Sequence, residues 1–170
     1  PVEDKSYIGP VVSVAAAERI GGLVEDALAK GAKAALPAPQ SPLVRPGSAY
    51  VAPQVLLDAD HSMAIMREET FGPVVPVMAV PDDETAVSLM NDTDYGLTAS
   101  IWSTDQERAL ALGRQLETGV FYVNRCDHAD MFLPWGGMRR SGIGRSYAVQ
   151  GLADLVTPRG YHLRSLSPRQ

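Results

Sequence analysis

Hydrophobic positions along this chain change period several times, and each change predicts an element. From Ser13 onward Ala17, Ile20, Leu23, Val24, Ala27 and Leu28 recur at helical spacing, with Ser13 placed to cap the helix and Gly31 to end it. Gly21 and Gly22 interrupt that helix, at about 1 kcal/mol each relative to alanine. Lys33–Leu36 predicts a short strand. Ala49–Leu57 is strand-like, although Pro53 confines it to an edge or a bulge. Asp58–Ser62 turns the chain, and Met63–Met66 leads toward the β-branched run Val74–Val80, a buried strand. Asp82 caps a helix running to about Asn91, and Asp94-Tyr95-Gly96 is a turn. Leu97–Trp102 is a second strand. Thr104-Asp105-Gln106-Glu107 has the form of a capping box, opening a helix that buries Ala109, Leu110, Leu112, Gly113 and Leu116. Gly119 stops it, and Val120–Val123 is a third strand.

Strands alternating with helices across short connections predict an α/β fold: a largely parallel open sheet with flanking helices and right-handed crossovers. Around it, Pro1–Val12 and the proline-rich Pro37–Gly47 are loops, and Phe132–Gly144 is an ordered loop. A short helix follows at Ser146–Leu152, then a final strand at Leu155–Leu163, and Ser165–Gln170 should fray. The domain reading is one body over residues 1–153, a separate strand over 154–164 and a tail over 165–170. From its start in mid-loop without methionine, the sequence is expected to be a piece of something longer.

Composition alters this picture little. At 170 residues the chain is about one domain long, and such a domain buries roughly 70% of its unfolded surface. A net charge of −5 argues against nucleic acid or a membrane surface as partner. Cys126 is the single cysteine, which excludes an internal disulfide and favours a reducing, cytoplasmic location. Pro1–Lys5 is polar where a signal peptide would be apolar, and no apolar run is long enough to span a bilayer.

Chemistry concentrates in Arg67-Glu68-Glu69-Thr70-Phe71-Gly72-Pro73-Val74-Val75. Two carboxylates and an aromatic ring precede a Gly-Pro break that a helix should not cross, at the mouth of a strand. Two readings stay open on these residues: a ligand-binding turn, or a surface turn with solvated carboxylates and Phe71 tucked into the core. His61, His128 and His162 lie far apart in sequence, with no Cys or paired carboxylate at metal-ligand spacing, so no metal site is predicted. Gly142-Ile143-Gly144-Arg145 lacks the third glycine and downstream acid of a dinucleotide loop; a tight turn with Arg145 anchoring a neighbouring carbonyl is expected. Cys126 follows a strand end beside Arg125 and is expected to be a buried thiol rather than a nucleophile.

Five collinear segments resemble the C-terminal part of the catalytic domain of NAD(P)-dependent aldehyde dehydrogenases. They are Glu68-Glu69-Thr70-Phe71-Gly72-Pro73, Asn91-Asp92-Thr93-Asp94-Tyr95-Gly96-Leu97, Gly119-Val120-Phe121-Tyr122-Val123-Asn124, Pro134-Trp135-Gly136-Gly137 and Ser141-Gly142-Ile143-Gly144-Arg145. The resemblance implies that Glu69 accepts hydrogen bonds from the nicotinamide-side ribose of NAD or NADP, and that Phe71 packs against that ribose. It implies that Asn124 and Trp135 border the pocket for a small-molecule aldehyde. It also implies that the strand near Leu155–Leu163 joins subunits into a dimer or tetramer. The family reaction needs thiolate attack on the aldehyde, hydride transfer to the nicotinamide and thioester hydrolysis. No catalytic residue is expected in this chain: the nucleophilic cysteine, the general-base glutamate and the cofactor domain are expected upstream of Pro1. Ser146 stands where the family commonly has an acid, so proton handling there is in doubt. The alternative to a partial enzyme, inactive alone, is a non-catalytic assembly module of the same fold.

Overall fold

Ser13 opens the first helix, α1 (Val14–Ala29), its Oγ accepting a hydrogen bond from the Ala16 amide at 3.1 Å. The computed structural model describes residues 7–37, 41–126 and 128–165, and the chain falls into two units, Pro1–Pro81 and Asp82–Gln170. In the first unit α1 buries Ile20, Leu23 and Ala27 against Leu56, Met63, Ile65 and Val74 in one apolar cluster. Gly31 ends the helix at φ +109°, the left-handed side of the map that its spacing predicts.

β1 (Lys33–Ala34) pairs antiparallel with β2 (Gln54–Leu57), and β2 pairs parallel with β3 (Val74–Pro76). β2 is therefore the central strand, not the edge expected from Pro53, because it begins one residue after that proline. The Gln54 amide, free to donate, reaches the Pro73 carbonyl at 3.0 Å. β3 stops at Pro76 instead of reaching Val80. Beyond Pro76 the Val77 amide still donates to the Leu56 carbonyl at 2.8 Å, but the Val77 carbonyl accepts from the Ala59 amide at 3.1 Å across Asp58 at φ +57°, and the regular register ends there. Val74 is 5% exposed and Val75 57%, so this short strand buries one face.

Asp26 fastens α1 to the 3₁₀ turn Ala64–Met66, accepting from the Ala64 amide at 3.0 Å while pairing with Lys30 at 2.8 Å. The Lys30 ammonium first, and the Ala64 amide second, hold its carboxyl below the ordinary 3.8. Hydrogen bonds to Ser62 lower Asp60 in the same unit. A depressed carboxyl stabilises the fold above its unfolded value and loses that stabilisation as pH falls through the folded one. Far-UV circular dichroism is therefore expected to decline on acidification below about 3.8, with Asp26→Asn flattening that limb in part. An acid limb unchanged by Asp26→Asn would refute this linkage.

In the second unit Asp82 caps α2 (Asp83–Asn91), accepting from the Thr85 amide at 2.8 Å. β4 (Thr98–Ile101), α3 (Gln106–Gly113) and β5 (Val120–Val123) form a βαβ crossover with β4 and β5 parallel, Thr98 opposite Val120. The cap of α3 is Asp105 rather than Thr104. Ser103 Oγ accepts from the Asp105 amide at 3.0 Å, which turns the carboxylate onto the Arg108 amide at 2.9 Å. The α/β class holds, with β3 and β4 in different sheets: a three-stranded mixed one and a two-stranded parallel one.

α4 (Ala148–Ala153) starts later than Ser146, because Tyr147 (φ +63°) and Ala148 (φ +50°) turn the chain before it. The expected strand Leu155–Leu163 has no ladder partner among the described residues, and a strand without a paired edge is not completed. Residues 1–6 of the first loop, 38–40 of the proline-rich loop and 166–170 of the tail lie outside the described residues. Among those described, no helix is long and apolar enough to cross a membrane.

Candidate cofactor clamp and pocket loop

In the first unit the chain leaves the 3₁₀ turn with the Arg67 and Glu68 amides both donating to the Ala64 carbonyl, at 3.0 and 2.9 Å. Glu68 and Glu69 then face solvent. Two contacts from α1 hold the next bend. Arg19 Nη2 donates to the Thr70 carbonyl at 2.9 Å, and Gly72 lies so close to Ile20 that an added Cβ would meet Cδ1 at 2.5 Å. Between these anchors Phe71 sits at φ +45° with its ring 80% exposed. A left-handed backbone at a bulky residue costs on the order of 1–2 kcal/mol and persists only where its surroundings impose it. The bend turns the ring outward, against the reading that placed it in the core. Glu69 offers a solvated carboxylate able to accept two hydroxyl donors, and Phe71 a flat apolar face two residues on.

In the second unit Asn124 ends β5 at φ +54°, a region asparagine tolerates better than most residues. Its side chain is committed to the backbone: Oδ1 accepts from the Ser103 amide and Nδ2 donates to the Ser103 carbonyl, each at 2.8 Å. The amide thus ties the carboxyl ends of β4 and β5 together. Tyr122 Oη donates to the His128 carbonyl at 2.6 Å, fixing the far side of the loop that Asn124 starts. Cys126 lies on that loop and is exposed; the buried state expected of it is not found, because the apolar run ends at Val123.

Trp135 is half-buried and pinned through its backbone, its amide donating to the Ser146 carbonyl at 2.8 Å and its carbonyl accepting from the Ser146 amide at 2.7 Å. Gly136 packs on the start of β5, where a Cβ on Gly119 would fall 1.7 Å from the Gly136 oxygen. Arg145 Nη1 donates to the Gly137 carbonyl at 2.8 Å and the Gly144 carbonyl at 2.9 Å, the arginine anchor expected of the Gly142–Arg145 turn. Glu69 and Phe71 share one bend of the first unit; Asn124 and Trp135 belong to the second. Sequence reasoning missed Arg19, an arginine on the polar side of a helix with no local partner to betray it, and misread Gly119 as a helix stop: α3 ends at Gly113, and Gly119 instead packs on Gly136.

These features place an outward-facing carboxylate and aromatic ring on one bend of the first unit and a glycine-packed aromatic loop on the second. The aldehyde dehydrogenase family pattern matches residues 1–159, and the chain belongs to that family. It is 40% identical over 168 residues to a 4,4'-diapolycopene aldehyde oxidase of Methylomonas sp, covering 96% of this chain and 30% of that protein. It is 37% identical to a lactaldehyde dehydrogenase of Escherichia coli, covering 93% of this chain and 32% of the relative. A solved structure of lactaldehyde dehydrogenase superposes with a TM-score of 0.85 at 36% identity, over 96% of this chain and 34% of that one. An aldehyde dehydrogenase from Mycobacterium tuberculosis, complexed with NAD+, superposes with a TM-score of 0.82 at 29% identity, over 96% and 35%. The chain thus spans about a third of the length of these relatives.

Proposed function

We propose that these residues form the nicotinamide-ribose clamp and part of the substrate wall of an enzyme that oxidises an aldehyde to a carboxylic acid with NAD or NADP. When bound, the nicotinamide ring supplies the hydride acceptor. Glu69 accepts the ribose hydroxyls, and Phe71 lays its ring against the sugar and limits the angles the nucleotide adopts. Asn124 acts through the backbone, holding the ends of β4 and β5 so that the loop it starts keeps its direction. Trp135 presents its indole to the aldehyde. No position matches the family's nucleophilic cysteine or general-base glutamate, so the chain alone is proposed to be inactive; Cys126 sits on a loop and has no such role. Segment 154–164, with Leu155 and Leu163 more than four-fifths exposed, is proposed to pair with a neighbouring subunit in a dimer or tetramer. A cytoplasmic location is part of the same reading.

The observation that carries it is Phe71: an aromatic ring held 80% exposed, on a strained backbone, two residues from a solvated carboxylate. A pure assembly module has no use for that arrangement, although its exposed apolar positions would serve one. Nicotinamide mononucleotide carries the relevant ribose without the adenosine half. Titrated onto the chain, it should shift the amide resonances of Glu68–Gly72, with Glu69→Gln weakening the affinity about 5–10-fold through loss of a charge-assisted acceptor. A wild-type turn whose resonances do not move would sink the clamp and favour the assembly module.

A further inference from the structure

The Asn91–Gly96 segment carries family resemblance but no role in the clamp or the pocket, and the structure shows what it grips. Its Asn91 side chain donates from Nδ2 to the Gln115 carbonyl at 2.8 Å and accepts at Oδ1 from the Glu117 amide at 2.9 Å, tying the end of α2 to the α3–β5 connection. The Gly96 carbonyl accepts from both the Gly119 amide (3.0 Å) and the Met138 amide (2.9 Å). Across this junction lies Arg139. Its Nη1 donates to the Asn91 carbonyl at 2.6 Å and to the Thr93 carbonyl, while Nε, at 3.2 Å, and Nη2 pair with the Glu117 carboxylate. The guanidinium thus serves the carbonyl that ends α2, the Thr93 carbonyl just beyond it and one carboxylate at once, its donors spread over a planar fork wider than the compact ammonium of a lysine.

We propose that Arg139 is a positioning residue for the loop that carries Trp135. Arg139 itself sits at φ +53°, a conformation its contacts must hold. Between it and Trp135 stand two buried glycines and Met138, whose amide is already bonded to Gly96. Removing the guanidinium lets the backbone at 139 relax and loosens one end of the stretch that leads back to the indole, leaving Trp135 held by its Ser146 pair, by Arg145 on the Gly137 carbonyl and by the Met138 amide on Gly96. The consequence for aldehyde binding rests on the reading of Trp135 as pocket wall; the positioning itself does not.

Trp102→Phe leaves Trp135 as the single tryptophan of the chain. In that background, Arg139→Met is expected to raise the acrylamide quenching constant of Trp135 about twofold, with Arg139→Lys in between, because the network rather than the charge orders the loop. Arg108→Met, which removes the exposed pair with Asp83 in the same unit, should leave quenching at the parent value. Unchanged quenching in Arg139→Met would overturn the proposal. So would an equal rise in Arg108→Met, which would mean general loosening of the unit, or a lysine variant identical to the parent, which also decides the case if the methionine variant does not fold. Quenching of the parent by added benzaldehyde reports the pocket reading separately: its absence would remove the aldehyde role of Trp135 and leave these outcomes unaffected.

Discussion

Gly119→Ala is expected to destabilise the second unit by about 3 kcal/mol, a large loss for a single methyl group. The added Cβ would stand 1.7 Å from the Gly136 oxygen, 2.7 Å from its carbonyl carbon and 3.2 Å from Gly137 Cα. All three are backbone atoms, so no side chain can swing aside. Gly119 is not among the residues at positive φ, so the cost arises from contact alone and not from a forbidden conformation. Relief requires moving the Trp135 loop off β5 or breaking the bond from the Gly119 amide to the Gly96 carbonyl, and each route uncovers a paired backbone group. Denaturant unfolding followed by Trp135 fluorescence measures the loss. Gly160→Ala, where a Cβ meets nothing within 4 Å, is the control and should change stability by less than about 0.5 kcal/mol. Comparable small effects at the two positions would show that the loop does not rest on Gly119.

What the sequence disclosed and what it withheld divide along the range of the interactions. Val120–Val123 and the caps Ser13 and Asp82 were legible because a strand's period and a cap's hydrogen bond are settled within a few residues. The α3 cap was displaced by one because Thr104 and Asp105 can both cap, and the choice falls to Ser103, which orients the aspartate. The division of strands into two sheets was not legible, since α2 and short loops satisfy an unbroken parallel sheet equally well. Asn124 was picked out by resemblance, but its partner Ser103 lies 21 residues away and nothing local announces the clasp. The segment 154–164 needs an edge to pair with, and strand propensity alone supplies none. For Glu69 and Phe71 the resemblance pointed to the residues; the outward turn of the ring came from Arg19 and Ile20 on a helix some fifty residues earlier.

That outward turn leads to an inversion of the usual ranking of alanine and glycine. At an ordinary position glycine is the less stable of the two by roughly 0.5–1 kcal/mol, because its unfolded chain has more freedom to lose. At φ +45° an alanine keeps a left-handed strain of about 1–2 kcal/mol that a glycine does not feel. Phe71→Gly should therefore be at least as stable as Phe71→Ala, by up to about 1 kcal/mol, in thermal unfolding of the first unit. The exposed ring makes this comparison clean, since with 80% of it in solvent little burial is lost in either variant. Binding should move the other way. On the proposed clamp reading both variants lose the aromatic face offered to the nucleotide ribose, and their affinity for nicotinamide mononucleotide should fall about tenfold, roughly 1.4 kcal/mol. The glycine variant should bind more weakly of the two, because its turn is no longer held in the conformation that presents Glu69. Alanine ranking above glycine in both measurements would mean that the strain at Phe71 is absent in solution, and that the clamp is set by the side chains alone.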